Sequence, residues 1–275
     1  MGSSLHGVVR LALYLGLTMA LLPVQALLVA VRSPLRDRLP RWYHARVLRI
    51  VGMSVEVIGT PSPDSPTLFV ANHSSYWDIE VLGSMLTASF VAKTEVGGWP
   101  LFGLLARLQR TVFVERRRGA AGRSRNEIAE RLAAGDSLVL FAEGTSSDGN
   151  RVLPFKSALF AAAAPAQGRT ALVVQPVSIA PTRLDGIPLG YGRRALYAWY
   201  GDMDLAPHLW AAVKAGRLLV RVEFHPPVSF DGFPNRKALA EHCWRECAAG
   251  VSRAVTGRAA PPRETAEEHG TAQAA

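Results

Sequence analysis

At 275 residues, 49% of them hydrophobic, the chain has enough apolar material for one sizeable domain with appendages. Its formal net charge of +9 suits anionic partners. No nucleic-acid-binding module is recognisable and the positive charge gathers beside an apolar N-terminal run, which sets nucleic acid aside as a partner. Cys243 and Cys247 stand four apart with no metal-ligand set of the usual spacing around them, and read as small core or surface residues.

Residues 11–31, LALYLGLTMALLPVQALLVAV, carry no formal charge. As a helix they would span about 31 Å, close to the hydrocarbon thickness of a bilayer. Pro23 and Gln25 interrupt the run, so a kinked spanning helix and a shallow helical hairpin in one leaflet are both open. The run is longer than the apolar region of a signal peptide. Behind it come Arg32, Arg36, Arg38, Arg41, Arg46 and Arg49, opposed only by Asp37, a poor start for export. The positive-inside rule keeps such a flank in the cytoplasm. Residues 1–31 are therefore read as an uncleaved membrane anchor. Residues 32–60 are read as a basic amphipathic connector at the membrane surface, with a helix over 41–51 and Trp42 and Tyr43 at the interface.

The proline-rich loop 61–66 opens the globular part, residues 61–257. A buried strand over 68–71 is followed by a helix over 79–86 and a short strand over 112–114. Ser124 and Glu127 form a capping box for a helix that runs to about residue 134, where Gly135 stops it. A strand over 137–141, a helix over 156–164, strands over 171–179 and 218–224, and a closing helix over 235–254 complete the alternation. This order predicts an α/β domain, with a mixed, largely parallel sheet flanked by helices. Residues 258–275 are Ala/Pro/Glu-rich without periodicity and are expected to form a disordered tail.

Chemistry concentrates just past two of these strands. After 68–71 comes Asn72-His73-Ser74-Ser75-Tyr76-Trp77-Asp78. An imidazole at the end of a strand can take a proton from an alcohol near neutral pH. A carboxylate on its far side would fix its tautomer. After the second strand comes Phe141-Ala142-Glu143-Gly144-Thr145-Ser146, a tight turn whose backbone N–H groups could face an oxyanion. Phe113 precedes Arg116, Arg117 and Arg118, which could clamp a phosphate. Pro176, inside Val174-Gln175-Pro176-Val177, breaks a ladder and suggests an edge, a bulge or the wall of a pocket.

In this order the four stretches resemble the glycerolipid acyltransferase family that includes bacterial lysophosphatidic acid acyltransferases. The resemblance covers residues 67–177. The family's Asn-His-x-Ser-x-x-Asp motif is matched by Asn72, His73, Ser75 and Asp78. Its arginine motif is matched by Phe113 and Arg116, its Phe-Pro-Glu-Gly-Thr-Arg-Ser motif by Phe141, Glu143, Gly144 and Thr145, and its Pro-Val motif by Pro176 and Val177. Two departures stand out. Ala142 replaces the usual proline, which should loosen the turn, and Ser146 replaces a common arginine that in relatives helps hold the acceptor's phosphate. The run 146–156 looks like the branch that acylates lyso-ornithine lipids, where Arg151 or Lys156 would supply the missing charge.

The resemblance implies acyl transfer from acyl-CoA or acyl carrier protein to the hydroxyl of a lysolipid. The first acceptor expected is 1-acyl-sn-glycerol-3-phosphate, giving phosphatidic acid; lyso-ornithine lipid is the alternative. It implies His73 and Asp78 as the catalytic pair. Asn72, Ser75, Arg116, Glu143, Gly144, Thr145, Ser146 and Lys156 are the expected substrate-binding residues. No cofactor and no metal are expected, and Ser74 and Ser75 leave a serine nucleophile formally open. The domain would sit on the cytoplasmic face of a bacterial inner membrane, with membrane lipids as partners. A reading of another class, a non-catalytic scaffold that binds anionic lipids, accounts for the arginines but leaves the His73 and Glu143 loops without a purpose.

Overall fold

The structure, a computed structural model, describes residues 3–114, 121–163 and 172–258. Helix α1 (Ser4–Ala30) runs unbroken through Pro23, so no hairpin forms inside the apolar run. The chain reverses just beyond it and returns as α2 (Leu35–Val51), which starts earlier than the expected 41–51 and packs against α1. Gly52 ends α2 in the left-handed region, at φ 79°, and turns the chain into β1 (Met53–Ile58). The sequence pattern does not mark this strand. It lies within the segment expected to be connector, yet pairs in parallel with a strand near the other end of the domain.

The remaining elements are β2 (Thr67–Ala71), α3 (Trp77–Gly83), β3 (Ser89–Lys93), α4 (Phe102–Leu108), β4 (Val112–Val114), α5 (Ala121–Ala133), β5 (Leu138–Phe141), β6 (Val173–Leu184), β7 (Ile187–Pro188), α6 (Leu205–Lys214), β8 (Leu218–Phe224), β9 (Val228–Ser229) and α7 (Arg236–Thr256). Helix α5 already begins at Ala121, so Ser124 lies within it rather than at its cap. Its C-terminus does end as expected. Gly135, at φ 89°, donates to Leu132 O at 3.0 Å, and Asp136 donates to Arg131 O at 3.1 Å, the Schellman pattern. The helix expected over 156–164 is a 3₁₀ segment, Ser157–Ala163. The expected disordered tail lies outside the described residues, apart from Arg258.

The strand order is β1-β8-β6-β2-β5-β3-β4, with β7 and β9 also paired to β6. The sheet is mixed and largely parallel; β6 runs antiparallel to β8, β7 and β9. Side chains alternate across it. Phe69 and Ala71 of β2 join the core under α2, α3 and α6, while Leu68 and Val70 join the core under α5 and α7. Covered on both faces, β2 reads as a continuous apolar run. Pro176 is not on an edge. It sits in the interior strand β6, where pairing passes from β9 (at Val173 and Val174) to β8 (from Val177 onward), and the missing N–H falls at that seam.

Candidate active site

Parallel pairing in register places Ala71 beside both Phe141 and Val177, so the carboxyl ends of β2 and β5 open side by side. The two loops expected to carry chemistry therefore start from adjacent points. The substitution at Ala142 tightens this edge rather than loosening it. Its N–H donates to Ala71 O at 3.2 Å and extends the ladder by a bond that proline could not make.

His73 Nδ1 lies 2.9 Å from Asp78 Oδ2. Asp78 is fully buried in the first turn of α3. The same oxygen accepts the N–H groups of Ser74 (2.7 Å) and Ser75 (2.9 Å), and Oδ1 accepts the Tyr197 hydroxyl at 2.6 Å. Three other donors already point at this carboxylate, so it serves as the acceptor toward His73 and Nδ1 as the donor. That leaves Nε2 as the basic lone pair, on a side chain that is 21% exposed. One face of the ring is covered by Phe141, stacked at 4.1 Å with planes 22° apart. Burial and the Asp78 charge hold the Tyr197 hydroxyl well above the usual range, so it remains a donor.

The second loop grips the first. Glu143 Oε1 accepts the His73 N–H at 2.8 Å, and Oε2 accepts the Leu153 N–H at 3.0 Å. Ser147 returns the grip, donating its N–H (2.9 Å) and its hydroxyl (3.1 Å) to His73 O. Burial pushes the Glu143 carboxyl up to about 8, against the opposing pull of the two N–H bonds. With both oxygens engaged by backbone, Glu143 is placed to hold loops together rather than to face a headgroup.

The other expected residues divide. Asn72 turns away from the loop: its amide donates to Ile179 O (2.9 Å) and accepts the Ile179 N–H (2.8 Å), which stitches the end of β2 to β6. Ser74 and Ser75 are fully buried, and Ser75 Oγ accepts the Trp77 N–H at 3.3 Å, so neither hydroxyl is presented as a nucleophile. Gly144 takes φ 66°, but its N–H is already bonded to Phe141 O at 3.1 Å and is not available to an oxyanion. Thr145 is exposed and Ser146 half-buried on the same turn; Lys156 and Arg151 are exposed. Arg116 lies outside the described residues. Among the described residues no cluster of His, Cys, Asp or Glu could hold a metal ion.

Tyr197 and Ser147 belong to the site and carry no motif. Tyr197 stands beyond the stretch in which the motifs recur, just after the 3₁₀ segment Tyr191–Leu196. No local signal could have tied it to Asp78, because the chain returns there only through β6. Beside the site, α1, α2, α3 and α4 line a partly open apolar cavity of about 160 Å³, with Tyr76 and Phe90 on the wall nearer His73.

A family model described as Acyltransferase matches residues 54–180. The lyso-ornithine lipid O-acyltransferase of Brucella abortus is 45% identical over 254 residues, 91% of this chain and 95% of that protein. The 1-acyl-sn-glycerol-3-phosphate acyltransferase of Neisseria meningitidis is 33% identical over 182 residues, 65% of this chain and 67% of that protein. Among solved structures, the 1-acyl-sn-glycerophosphate acyltransferase of Thermotoga maritima superposes with a TM-score of 0.67, at 24% identity, over 94% of this chain and 96% of that one. That likeness shows the fold, and the family match with the curated relatives shows the family: the chain belongs to the lysolipid O-acyltransferases.

Proposed function

We propose that the protein transfers an acyl chain from a thioester donor, acyl-CoA or acyl carrier protein, to the hydroxyl of a lyso-ornithine lipid. The observation that carries the chemistry is the buried Asp78 on His73 Nδ1, which leaves Nε2 as the free lone pair of a partly exposed side chain. The acceptor hydroxyl gives its proton to Nε2 as its oxygen bonds to the thioester carbonyl carbon. The C–S bond then breaks, and the thiolate takes a proton from the imidazolium. No acyl-enzyme is needed, in keeping with the burial of Ser74 and Ser75. The oxyanion would be met by the backbone N–H groups of Thr145 and Ser146, which follow the engaged Gly144 on the exposed part of the turn.

The choice of acceptor rests on Ser146 standing where an arginine would hold a phosphate and on the extent of likeness to the Brucella abortus protein. 1-Acyl-sn-glycerol-3-phosphate is the second reading, favoured by the likeness to the Neisseria meningitidis protein. Arg151 and Lys156 are the exposed cations that would serve an anionic headgroup on this side.

The membrane geometry follows from α1. Its buried residues are Gly7, Tyr14, Thr18 and Gln25, while Leu5, Val9, Leu13, Met19, Val24 and Leu27 face outward. Small and polar residues inward with apolar residues outward is the arrangement of a helix whose solvent is lipid. Arg10 donates to Val213 O and Ala215 O at the end of α6, Thr18 bonds Tyr43 of α2 at 2.8 Å, and Gln25 donates to Leu108 O of α4 at 3.0 Å. Fastened along its length, α1 would lie in the cytoplasmic leaflet with the domain against it rather than cross the bilayer.

Thiol release by the detergent-solubilised protein tests the reaction. Both donors and both acceptors are offered, with His73→Ala beside the wild type. Loss of the base should lower turnover by about 10²–10⁴-fold. A folded His73→Ala variant with wild-type turnover would overturn the assignment. Turnover with 1-acyl-sn-glycerol-3-phosphate alone would reverse the order of the acceptors.

A further inference from the structure

Trp99, Leu101 and Leu104 are exposed by 40%, 36% and 42%, within six residues of chain that enter α4 and form its first turn. Single exposed apolar residues are ordinary, but a cluster built on a rigid turn is not. Leu101 caps α4 at φ 59° and ψ −54°, the strained geometry of a γ-turn, which a leucine rarely adopts. The turn is held there: Phe102 donates to Pro100 O at 2.6 Å, Gly103 to Trp99 O at 2.9 Å, and the Arg107 guanidinium to Gly97 O at 2.8 Å. Strain of this kind persists only where the surroundings impose it. Its effect here is to present a leucine and a tryptophan outward.

The cluster is continuous with two other features. Helix α4 packs on α1, whose outward face is apolar. Trp99 also meets Trp199 edge-on, 6.1 Å between centroids, and the Trp199 backbone N–H donates to Ser74 O at 2.8 Å. The turn therefore bridges the lipid-facing helix and the backbone of the catalytic loop. We propose that residues 99–104 form a second lipid-immersed element, a wedge that sinks below the headgroups of the bilayer beside α1. The occupant of this face is lipid, because the turn leads into α4, which packs on α1 with its apolar outward face, and borders a site read as acting on membrane lysolipid. Trp99 would sit at the headgroup level, where an indole's amphipathic ring is favoured.

The wedge rests on the membrane reading but is tested without turnover. Cys243 and Cys247 are both fully buried, so an environment-sensitive fluorophore on Leu101→Cys or Leu104→Cys labels one position. Glu241→Cys is the control, on α7 across the sheet, where the Glu241 side chain is 52% exposed. On vesicles of phosphatidylcholine and phosphatidylglycerol, labels at 101 and 104 should shift to the blue, lose quenching by iodide and gain quenching by chain-borne doxyl groups. The label at 241 should change little. Labels at 101 and 104 that stay as wet as that at 241 would overturn the wedge. So would a blue shift already complete without vesicles, which would mean that a second copy or another protein covers the face. A silent enzyme with dry labels would cost the acyltransferase reading and leave the wedge standing; an active enzyme with wet labels would do the reverse.

Discussion

Asp78 gathers donors on both oxygens, and three of them come from its own loop: His73 Nδ1 and the Ser74 and Ser75 N–H groups. The other, the Tyr197 hydroxyl, comes from far along the chain. Tyr197→Phe keeps the packing but strands a buried carboxylate oxygen, at a cost of about 1–3 kcal/mol. Because Asp78 acts through His73, kcat should fall about tenfold while KM for the acceptor changes little, the pattern of an interaction used in the transition state. Steady-state thiol release with a thermal melt separates the two effects, and an unchanged kcat would assign the ordering of Asp78 to its own loop. Glu143 makes a prediction in pH. Its carboxyl rises from the ordinary 4.5 to about 8 in the folded protein, so the native state holds a proton that the unfolded chain has released between these values. The stability this gives is complete below about 4.5 and is lost as pH rises through about 8. Within the window the slope reaches about 1.4 kcal/mol per pH unit. Denaturation midpoints from pH 5 to 9 should therefore fall less in Glu143→Gln than in the wild type; parallel curves would refute the shift. The pair His73 and Asp78 was legible because both lie on one loop. The hydrogen bonds of Asn72 and Glu143 were not, since both bond backbone groups that only the tertiary fold brings within reach.

Elements were legible where the chain alternates between dense apolar runs and clear stops. Strands β2 and β8 and helix α7 fall within about two residues of their sequence-based bounds, a normal fraying of element ends. Strand β1 escaped because its side chains are mostly half-buried or exposed, and its place is set by pairing with β8. Strand β3 escaped for a related reason: its five residues, Ser89–Lys93, follow a small-residue stretch with no turn signal at their end. Pro176 misled because it implies a broken ladder, and the break is at a seam between two partner strands instead of at an edge. The closeness of α7 to β6 also has no local signature beyond one glycine. A Cβ on Gly250 would stand 2.2 Å from Ser178 Oγ and 2.9 Å from His225 Cε1, and these two side chains are themselves bonded at 3.1 Å. Gly250→Val should force α7 off the sheet and cost about 1–3 kcal/mol, as overpacking does. Chemical denaturation reads this directly, and an unchanged midpoint would mean that α7 is free to slide.

At the scale of the whole molecule, the first helix is a wall of the apolar cavity and, on the membrane reading proposed above, an anchor as well. Its inward stripe closes the apolar cavity whose other sides include Leu39, Ile79, Phe102 and Leu105. A chain lacking residues 1–31 would expose those walls to water, so it should not behave as a released soluble enzyme. Its melting temperature in detergent should fall by about 5 °C or more, since every kcal/mol lost is worth about 2–4 °C in a chain of this size. It should also bind vesicles differently. Arg32, Arg38, Arg41, Arg46 and Arg49 are exposed on or beside α2, and their attraction to anionic lipid is screened once the Debye length shrinks to about 3 Å in 1 M salt. The apolar face of α1 is indifferent to salt. Flotation at about 0.1 M and about 1 M salt should therefore leave the full chain on the vesicles in both, and release most of the truncated chain only at the higher concentration. Truncated protein that stays fully bound in high salt would place the principal anchor in the domain itself, and α1 would then be a cover for the cavity before it is a tether.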